Sequence, residues 1–336
     1  MITSLLQRVD LRRERGLFPG VMACSIVAVA ATFLADHYGA PVMLFALLLG
    51  IAMNFLSTEG DCVAGIAFTA STVLRVGIAL LGLRVTFEQV QDLGWEPVAG
   101  VVLCVGLTIG VSVVAAKRLG FRSTFGMLSG GATAICGASA ALALAATLPP
   151  SPHRDKATSF TIIGVSVLST VAMVLYPMIA RAMGLDPIAA GLFLGGTIHD
   201  VAQVVGAGYS MSKETGDTAT VVKLMRVAML LPVIMLAAAM PRASVATHVK
   251  KPPLLPWFAV AFAALVALNS TGWVARELSD TGSLLSRWCL VAAMAAIGMK
   301  TQIRELATIG LRPVLLLLGE TVFLASLVLL LLRWSA

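Results

Sequence analysis

The apolar segments of this chain run to about 20 residues each and do not alternate, which decides the fold class before any motif is read. A bilayer offers no water to backbone groups, so a spanning segment either closes its own hydrogen bonds as a helix or joins a closed barrel. Barrel strands would alternate in short segments. The expected fold is therefore an all-α polytopic membrane protein. Composition agrees: 58% of the 336 residues are hydrophobic and 12% are charged, with a mean hydropathy of +0.93. Soluble domains carry about twice that share of charge.

Eleven candidate spans are expected, at 17–35, 41–56, 61–83, 95–116, 123–147, 157–180, 187–211, 218–240, 254–272, 284–299 and 312–333. The second and tenth are short enough to be tilted or partly re-entrant. Residues 1–16 read as a basic cytoplasmic segment. The apolar run behind them is too long for a signal peptide and lacks a small-residue cleavage site, so it reads as a retained first span. Residues 17–335 then form a single transmembrane transporter domain. Its longest loop, from Arg242 to Pro256, reads as a stiff linker.

Charge position sets orientation. With the N-terminus inside, the inner loops hold 14 Lys and Arg and the outer loops 7, which places the N-terminus in the cytoplasm and the C-terminus in the periplasm. The net charge of +7 thus reflects topology, and no nucleic-acid partner is expected. The five cysteines (Cys24, Cys62, Cys104, Cys136, Cys289) form no CxxC pair, so neither a disulfide framework nor a zinc site follows. No phosphate-binding GxxxxGK[ST] loop is present, so any transport must draw on an ion gradient or the substrate's own. Hydrolase motifs are absent as well, and no enzyme activity or cofactor is expected.

The chain repeats itself. Residues 74–98 align without a gap on 290–314, setting Gly82 on Gly298, Arg84 on Lys300, Gly94 on Gly310 and Pro97 on Pro313. The offset covers seven spans, an odd number, so the copies would be inverted, as in secondary transporters. The ordinary reading, chance similarity between apolar helices with basic ends, is weakened by the matched Gly and Pro.

Two spans carry polar and glycine residues at their midpoints. LSGGATAICGASA (Leu128–Ala140) contains Gly130, Gly131, Thr133, Cys136, Gly137 and Ser139; GGTIHDVAQ (Gly195–Gln203) contains His199, Asp200 and Gln203. Close helix packing explains glycines alone. It does not explain a His-Asp pair, since an ionisable group at bilayer depth costs at least ~2.5–3.5 kcal/mol. Helices broken here at the midplane would offer dipole ends to an anion. On a helix His199 and Gln203 would share a face while Asp200 points about 100° away. One His and one Asp make no metal site. Arg75, Lys223 and Arg226 lie within the outer parts of spans and suggest a vestibule that gathers anions, although Lys223 alone reads more simply as a snorkelling side chain. Glu320 receives no role, and Asn54 and Asn269 read as structural.

ATAICGASA (Ala132–Ala140), GGTIHDVAQVVGAG (Gly195–Gly208), VVKLMRVAMLLP (Val221–Pro232) and LRVGIALLGLR (Leu74–Arg84) resemble the YeiH family of bacterial inner-membrane proteins, over roughly residues 15–335. That family is labelled as sulfate exporters and is grouped with cation/proton antiporters and anion transporters. The resemblance implies an inverted-repeat bundle with unwound helices crossing at a central site. Two departures stand out. Asp200 occupies a position that is often glutamate in the family, and Ala143–Pro149 lacks an acid that some members carry. Together these readings give a multi-pass secondary transporter for a sulfate-, sulfite- or sulfonate-like oxyanion. Gly130, Gly131, Thr133, Cys136, Gly137, Ser139, Arg75 and Arg226 would bind it. His199, Asp200 and Gln203 would handle a coupling proton or sodium ion. The bilayer is the other partner, and a homodimer is left open. The competing readings are a proton or sodium antiporter without an anion, and an intramembrane enzyme using His199 with Cys136 or Ser139. One conflict stands: the two polar segments are two spans apart and would run parallel, whereas crossing helices of an inverted repeat run antiparallel.

Overall fold

The computed structural model describes residues 2–38, 41–92, 94–147, 152–239, 257–272, 274–301 and 311–335. In chain order the helices are α1 (Ile2–Tyr38), α2 (Val42–Ala52), α3 (Val63–Phe68), α4 (Leu74–Leu81), α5 (Phe87–Asp92) and α6 (Glu96–Arg118). Then come α7 (Ser123–Ala134), α8 (Ala138–Thr147), α9 (Pro152–Ala182), α10 (Pro187–Thr197) and α11 (Val201–Met211). The last are α12 (Lys213–Ala228), α13 (Leu230–Ala239), α14 (Trp257–Ser270), α15 (Arg276–Lys300) and α16 (Leu311–Ser335). Among the described residues there is no strand, and seven helical stretches are long and apolar enough to cross a membrane, with shorter apolar helices beside them. The chain is an all-α multi-pass membrane protein. The linker at 242–256, Arg304 and Gly310 of the repeat, and the end of the Ala143–Pro149 stretch lie outside the described residues.

The chain divides into two compact units. Unit 1 comprises residues 1–87 and 258–302, and unit 2 comprises 88–257 and 303–336. Unit 1 packs its helices through glycines. A Cβ on Gly298 would lie 2.3 Å from Leu47 O of α2, and one on Gly82 would lie 2.4 Å from Phe262 O of α14. The carbonyls left over where helices end are then capped across the unit, as orphan carbonyls require. Asn54 Nδ2 donates to Thr301 O at 3.3 Å and Ser57 Oγ to Met299 O at 2.7 Å, at the end of α15. After α4, Asn269 Nδ2 donates to Val85 O at 3.3 Å and Ser279 Oγ to Leu83 O at 2.9 Å. Arg75 is in this unit, on an exposed face of α4.

Unit 2 corrects the expected topology. The segments 123–147 and 187–211 do not run through as broken spans; each turns back as a helical hairpin. Gly131 of α7 lies so close to Leu144 of α8 that a Cβ there would meet Leu144 Cδ1 at 2.3 Å. Thirteen residues of continuous helix would set these two about 20 Å apart. Likewise α12 runs alongside both α10 and α11, in opposite senses. Gly191 and then Gly195 of α10 meet Thr218 and then Ala219 as α12 advances, while Gly208, near the end of α11, meets Gly216 near the start of α12. Arms of 10 to 12 residues are about 15–18 Å long, half of a ~30 Å hydrocarbon core.

The hairpins enter from opposite ends of α9. Phe125 at the start of α7 clusters with Ala116 near the end of α6 and Leu316 near the start of α16, with Ala157 from the start of α9 packed against them. At the far end of α9, Arg181 Nη2 donates to Ser210 O at the close of α11 at 3.3 Å. The conflict over parallel segments disappears, because two hairpins opening at opposite ends of one helix are antiparallel without being crossing helices.

Candidate functional site

Each hairpin tip is a three-residue break whose backbone suits its sequence. In the first, Ile135, Cys136 and Gly137 separate α7 from α8. Gly137 sits at φ +63°, a left-handed conformation that side chains rarely adopt, and its Cα faces His199 of the other tip. In the second, Ile198 and Asp200 are extended around His199, and Asp200 Oδ1 caps α11 by accepting from Ala202 N at 3.0 Å. The tips therefore meet inside unit 2.

Two fully buried cations of α12 hold them. Lys223 Nζ donates to Ile135 O at 2.7 Å, Ile198 O at 2.9 Å and His199 O at 2.5 Å, which uses all three ammonium hydrogens. Arg226 donates through Nε to Ala134 O at 2.8 Å, through Nη1 to Gly195 O at 3.0 Å and Ile198 O at 3.1 Å, and through Nη2 to Thr133 O at 2.8 Å. All these carbonyls belong to the C-terminal ends of α7 and α10 or to the turns after them. Helix C-termini carry roughly half a negative charge each, so a pair of them side by side calls for cations. The expectation that Lys223 snorkels is overturned: its exposure is 0%, and its head is spent on backbone carbonyls of both hairpins.

Glu320 of α16, to which sequence reasoning gave no role, lies at the same junction. Ser129 Oγ donates to its Oε1 at 2.7 Å and Thr133 Oγ1 to its Oε2 at 3.1 Å, and Ser112 Oγ is a third partner. Its neighbour Thr321 pairs with His199 Nε2 at 3.0 Å, while His199 Nδ1 lies 3.1 Å from Thr133 O. A carbonyl only accepts, so Nδ1 carries a hydrogen. A neutral imidazole offers only a lone pair at Nε2, and the single Thr321 hydroxyl hydrogen then lies between it and Leu317 O, 2.8 Å away. Thr133 is the hub: its hydroxyl serves Glu320 and its carbonyl serves both His199 and Arg226.

The expected site residues scatter into distinct roles. Gly130 and Gly131 are buried packing positions, filled against by Ser112 and Leu144. Cys136 is buried at the first tip, with its side chain against the Ala140 amide, and Ser139 is exposed on the first turn of α8. His199 precedes α11 and is not helical, so it shares no helix face with Gln203: the imidazole turns to α7 and α16. Gln203 turns to α9, where its Nε2 lies 3.4 Å from Thr170 Oγ1. Its Oε1 is buried without a hydrogen-bond partner. Ser169 Oγ accepts from Asp200 N at 3.0 Å, so α9 faces Asp200 and Gln203 with two hydroxyls. Arg75, in unit 1, shares no element with the others. Both ring nitrogens of His199 are engaged by threonines rather than by Cys136 or Ser139. No cluster of three His, Cys, Asp or Glu that could hold a metal occurs among the described residues.

The fold and this junction define a class: a polytopic helical membrane protein with paired re-entrant hairpins, opposed tip to tip around buried charge. Its family model is described as "Conserved hypothetical protein 698" and matches residues 19–317, so the chain belongs to that family, known also by the label UPF0324 and consistent with the YeiH resemblance. It is 51% identical to a UPF0324 membrane protein of Chlorobaculum tepidum, over 96% of this chain and 91% of the relative. It is 50% identical to the UPF0324 membrane protein TauZ of Paracoccus pantotrophus, over 97% of each chain. A Rhizobium meliloti relative is 48% identical over 93% of this chain and 91% of its own length. No solved structure matches the chain.

Proposed function

We propose that this protein is an ion-coupled secondary transporter of a small oxyanion, of the sulfate, sulfite or sulfonate type, in the bacterial inner membrane. One observation carries the reading: two hairpins from opposite ends of α9 meet at their tips, bridged by Lys223 and Arg226. Irregular backbone at membrane depth persists only where protein or a water-filled cavity satisfies it, and transporters place their substrate sites at such breaks. In this reading Arg226 meets the head of a sulfonate-type anion. Asp200 and Gln203, facing Ser169 and Thr170, take the coupling ion, and His199 with Glu320 ties the two tips to α16.

Proteoliposome flux tests it. Wild type should accumulate the oxyanion under an imposed proton or sodium gradient, and Asp200→Asn should not; equal uptake by both would remove Asp200 from coupling. A proton or sodium antiporter without an anion is the second reading, favoured by the unpartnered Gln203 Oε1 in an oxygen-rich setting. Cation-dependent proton movement with every oxyanion absent would select it.

Orientation follows the same proposal. With both hairpins re-entrant, Arg154 and Lys156 move to the inner side and Arg181 to the outer. The tally of loop cations becomes 15 inside and 6 outside, sharper than the eleven-span count. We also infer that 74–98 and 290–314 are inverted copies. Thr301 follows Val85, and Met299 follows Leu83, by the offset that separates Gly298 from Gly82. Each of these carbonyl pairs accepts from an Asn or a Ser in both halves.

A further inference from the structure

Beyond the junction, unit 2 contains a cavity of about 480 Å³ that has Arg226 in its lining. Small-molecule sites span roughly 300–1,000 Å³. This one runs along α6 from Trp95 to Cys104, about 13 Å of helix. Leu192 and Gly196 of α10, Val222 of α12 and the last two turns of α16 close the other walls. Trp95 and Trp334 lie toward its mouth, 76% and 85% exposed, as aromatic side chains at a membrane interface are. The lining is apolar apart from Glu96, at the mouth, and Arg226.

The guanidinium has a hydrogen to spare. Of its five N–H groups, Nε supplies one bond, Nη1 two and Nη2 one, leaving the second Nη2 hydrogen without an acceptor among the described residues. Arg226 is only 1% exposed and lines this cavity. A cation with an unspent donor at one end of an apolar slot selects an anionic head carrying an apolar tail. Glu96 at the other end repels that head from the mouth and so orients the ligand head-inward. A compact, strongly hydrated dianion would lose its water to walls that offer a single donor.

We propose that this cavity binds a monoanionic single-chain amphiphile, such as an alkyl sulfonate or fatty carboxylate of about octyl length, with its head on Arg226 and its tail along α6 toward Trp95. Calling that ligand a substrate rests on the transport reading above; the binding itself does not. An anionic lipid carries the same chemistry from a different source.

Binding can be followed with full-length protein in phosphatidylcholine nanodiscs, through tryptophan fluorescence and melting temperature. Octanesulfonate should bind saturably and raise Tm by several degrees, whereas sodium sulfate and octanol at equal concentration should do neither. Arg226 holds four carbonyls, so its variants test folding as much as binding, and the decisive variant is Gly100→Phe. Gly100 lines the cavity, and a Cβ there meets nothing within 4 Å, so the ring fills the slot without disturbing Arg226. It should weaken octanesulfonate at least tenfold while the unliganded Tm stays close to wild type. Equal binding by Gly100→Phe, or an equal effect of sulfate or octanol, would overturn the proposal. Repeating the titration in discs containing phosphatidylglycerol separates the sources. Retained binding identifies the free amphiphile as occupant, and loss that depends on an open Gly100 cavity identifies the lipid; both uphold the site. Flux of octanesulfonate, measured separately, bears on the transport reading alone, because binding without flux leaves the site in place.

Discussion

Replacing Lys223 by methionine should loosen the two hairpin tips, and the size of the effect can be worked from its bonds. The ammonium serves Ile135 O, Ile198 O and His199 O; Ile198 O also accepts from Arg226, so two carbonyls, Ile135 O and His199 O, lose the donor that Lys223 gave them. A buried acceptor left unsatisfied costs about 1–3 kcal/mol, giving roughly 2–6 kcal/mol for the pair. Against this, the variant no longer holds an ammonium away from water, a penalty of several kcal/mol. The penalty is already offset in the native protein by three short bonds at the negative ends of two helices, so only part of it is recovered. We expect a net loss of about 2–4 kcal/mol, or on the order of 3–6 °C in Tm for a chain of this length. Local opening should be visible too. Cys136, at the first tip, is buried, and a membrane-permeant thiol reagent should label it far faster in the variant. An unchanged Tm with Cys136 still protected would refute the claim that Lys223 holds the tips together.

Other positions give sharper contrasts. Glu320→Leu should destabilise by about 1–3 kcal/mol, mainly through Thr133, because the Ser112 and Ser129 hydroxyls can fall back on Gly126 O; chemical denaturation in detergent reads it, and Glu320→Gln should lose less. Gly195→Val should separate α10 from α12, since even a Cβ would lie 2.4 Å from Ala219 O, and should lower the yield of folded protein more than the same change at Gly106, whose Cβ would meet nothing. Asn54→Ala should cost about 1 kcal/mol by releasing Thr301 O, while Met299 O keeps Ser57; a Tm shift equal to that of a surface Asn→Ala would contradict the capping role.

How much of this was readable beforehand depends on whether the cause was local. Glycines and polar residues at mid-segment marked both breaks, because a weakened helix at bilayer depth is a property of its own few residues. The reversal at each break was not readable. Apolar arms of 10 to 12 residues look the same whether the next arm continues or returns, and only the contact between Gly131 and Leu144 distinguishes them. Under the proposed orientation the loop charges held a partial signal, since they sort more cleanly between the two sides once the hairpins are allowed. Glu320 was passed over because its three hydroxyl partners come from α6 and α7, about 190 to 210 residues away. Lys223 was misread for a related reason: a snorkelling lysine and one that caps a distant helix end have the same local sequence. At Gly130 and Gly131 the missing Cβ makes room for Ser112 and Leu144, partners that no local pattern could name.

Charge at the junction leads to a last prediction. Lys223 and Arg226 contribute two positive charges; with Glu320 ionised and His199 neutral, Asp200 and Glu320 contribute two negative ones and the junction balances. An arriving monoanion would leave one uncompensated charge near mid-membrane, at a cost of at least ~2.5–3.5 kcal/mol, or about 100-fold or more in occupancy. One proton or sodium ion taken up with it removes that cost. Transport of a monoanion should therefore be electroneutral, one cation per anion. In proteoliposomes with the potential clamped by potassium and valinomycin, accumulation should follow the coupling-ion gradient and ignore the potential. Net movement of one charge across 100 mV is worth about 2.3 kcal/mol, a change of roughly 50-fold in the accumulation ratio. A dependence of that size would mean that the junction carries net charge through the membrane and that Asp200 and Glu320 do not balance Lys223 and Arg226.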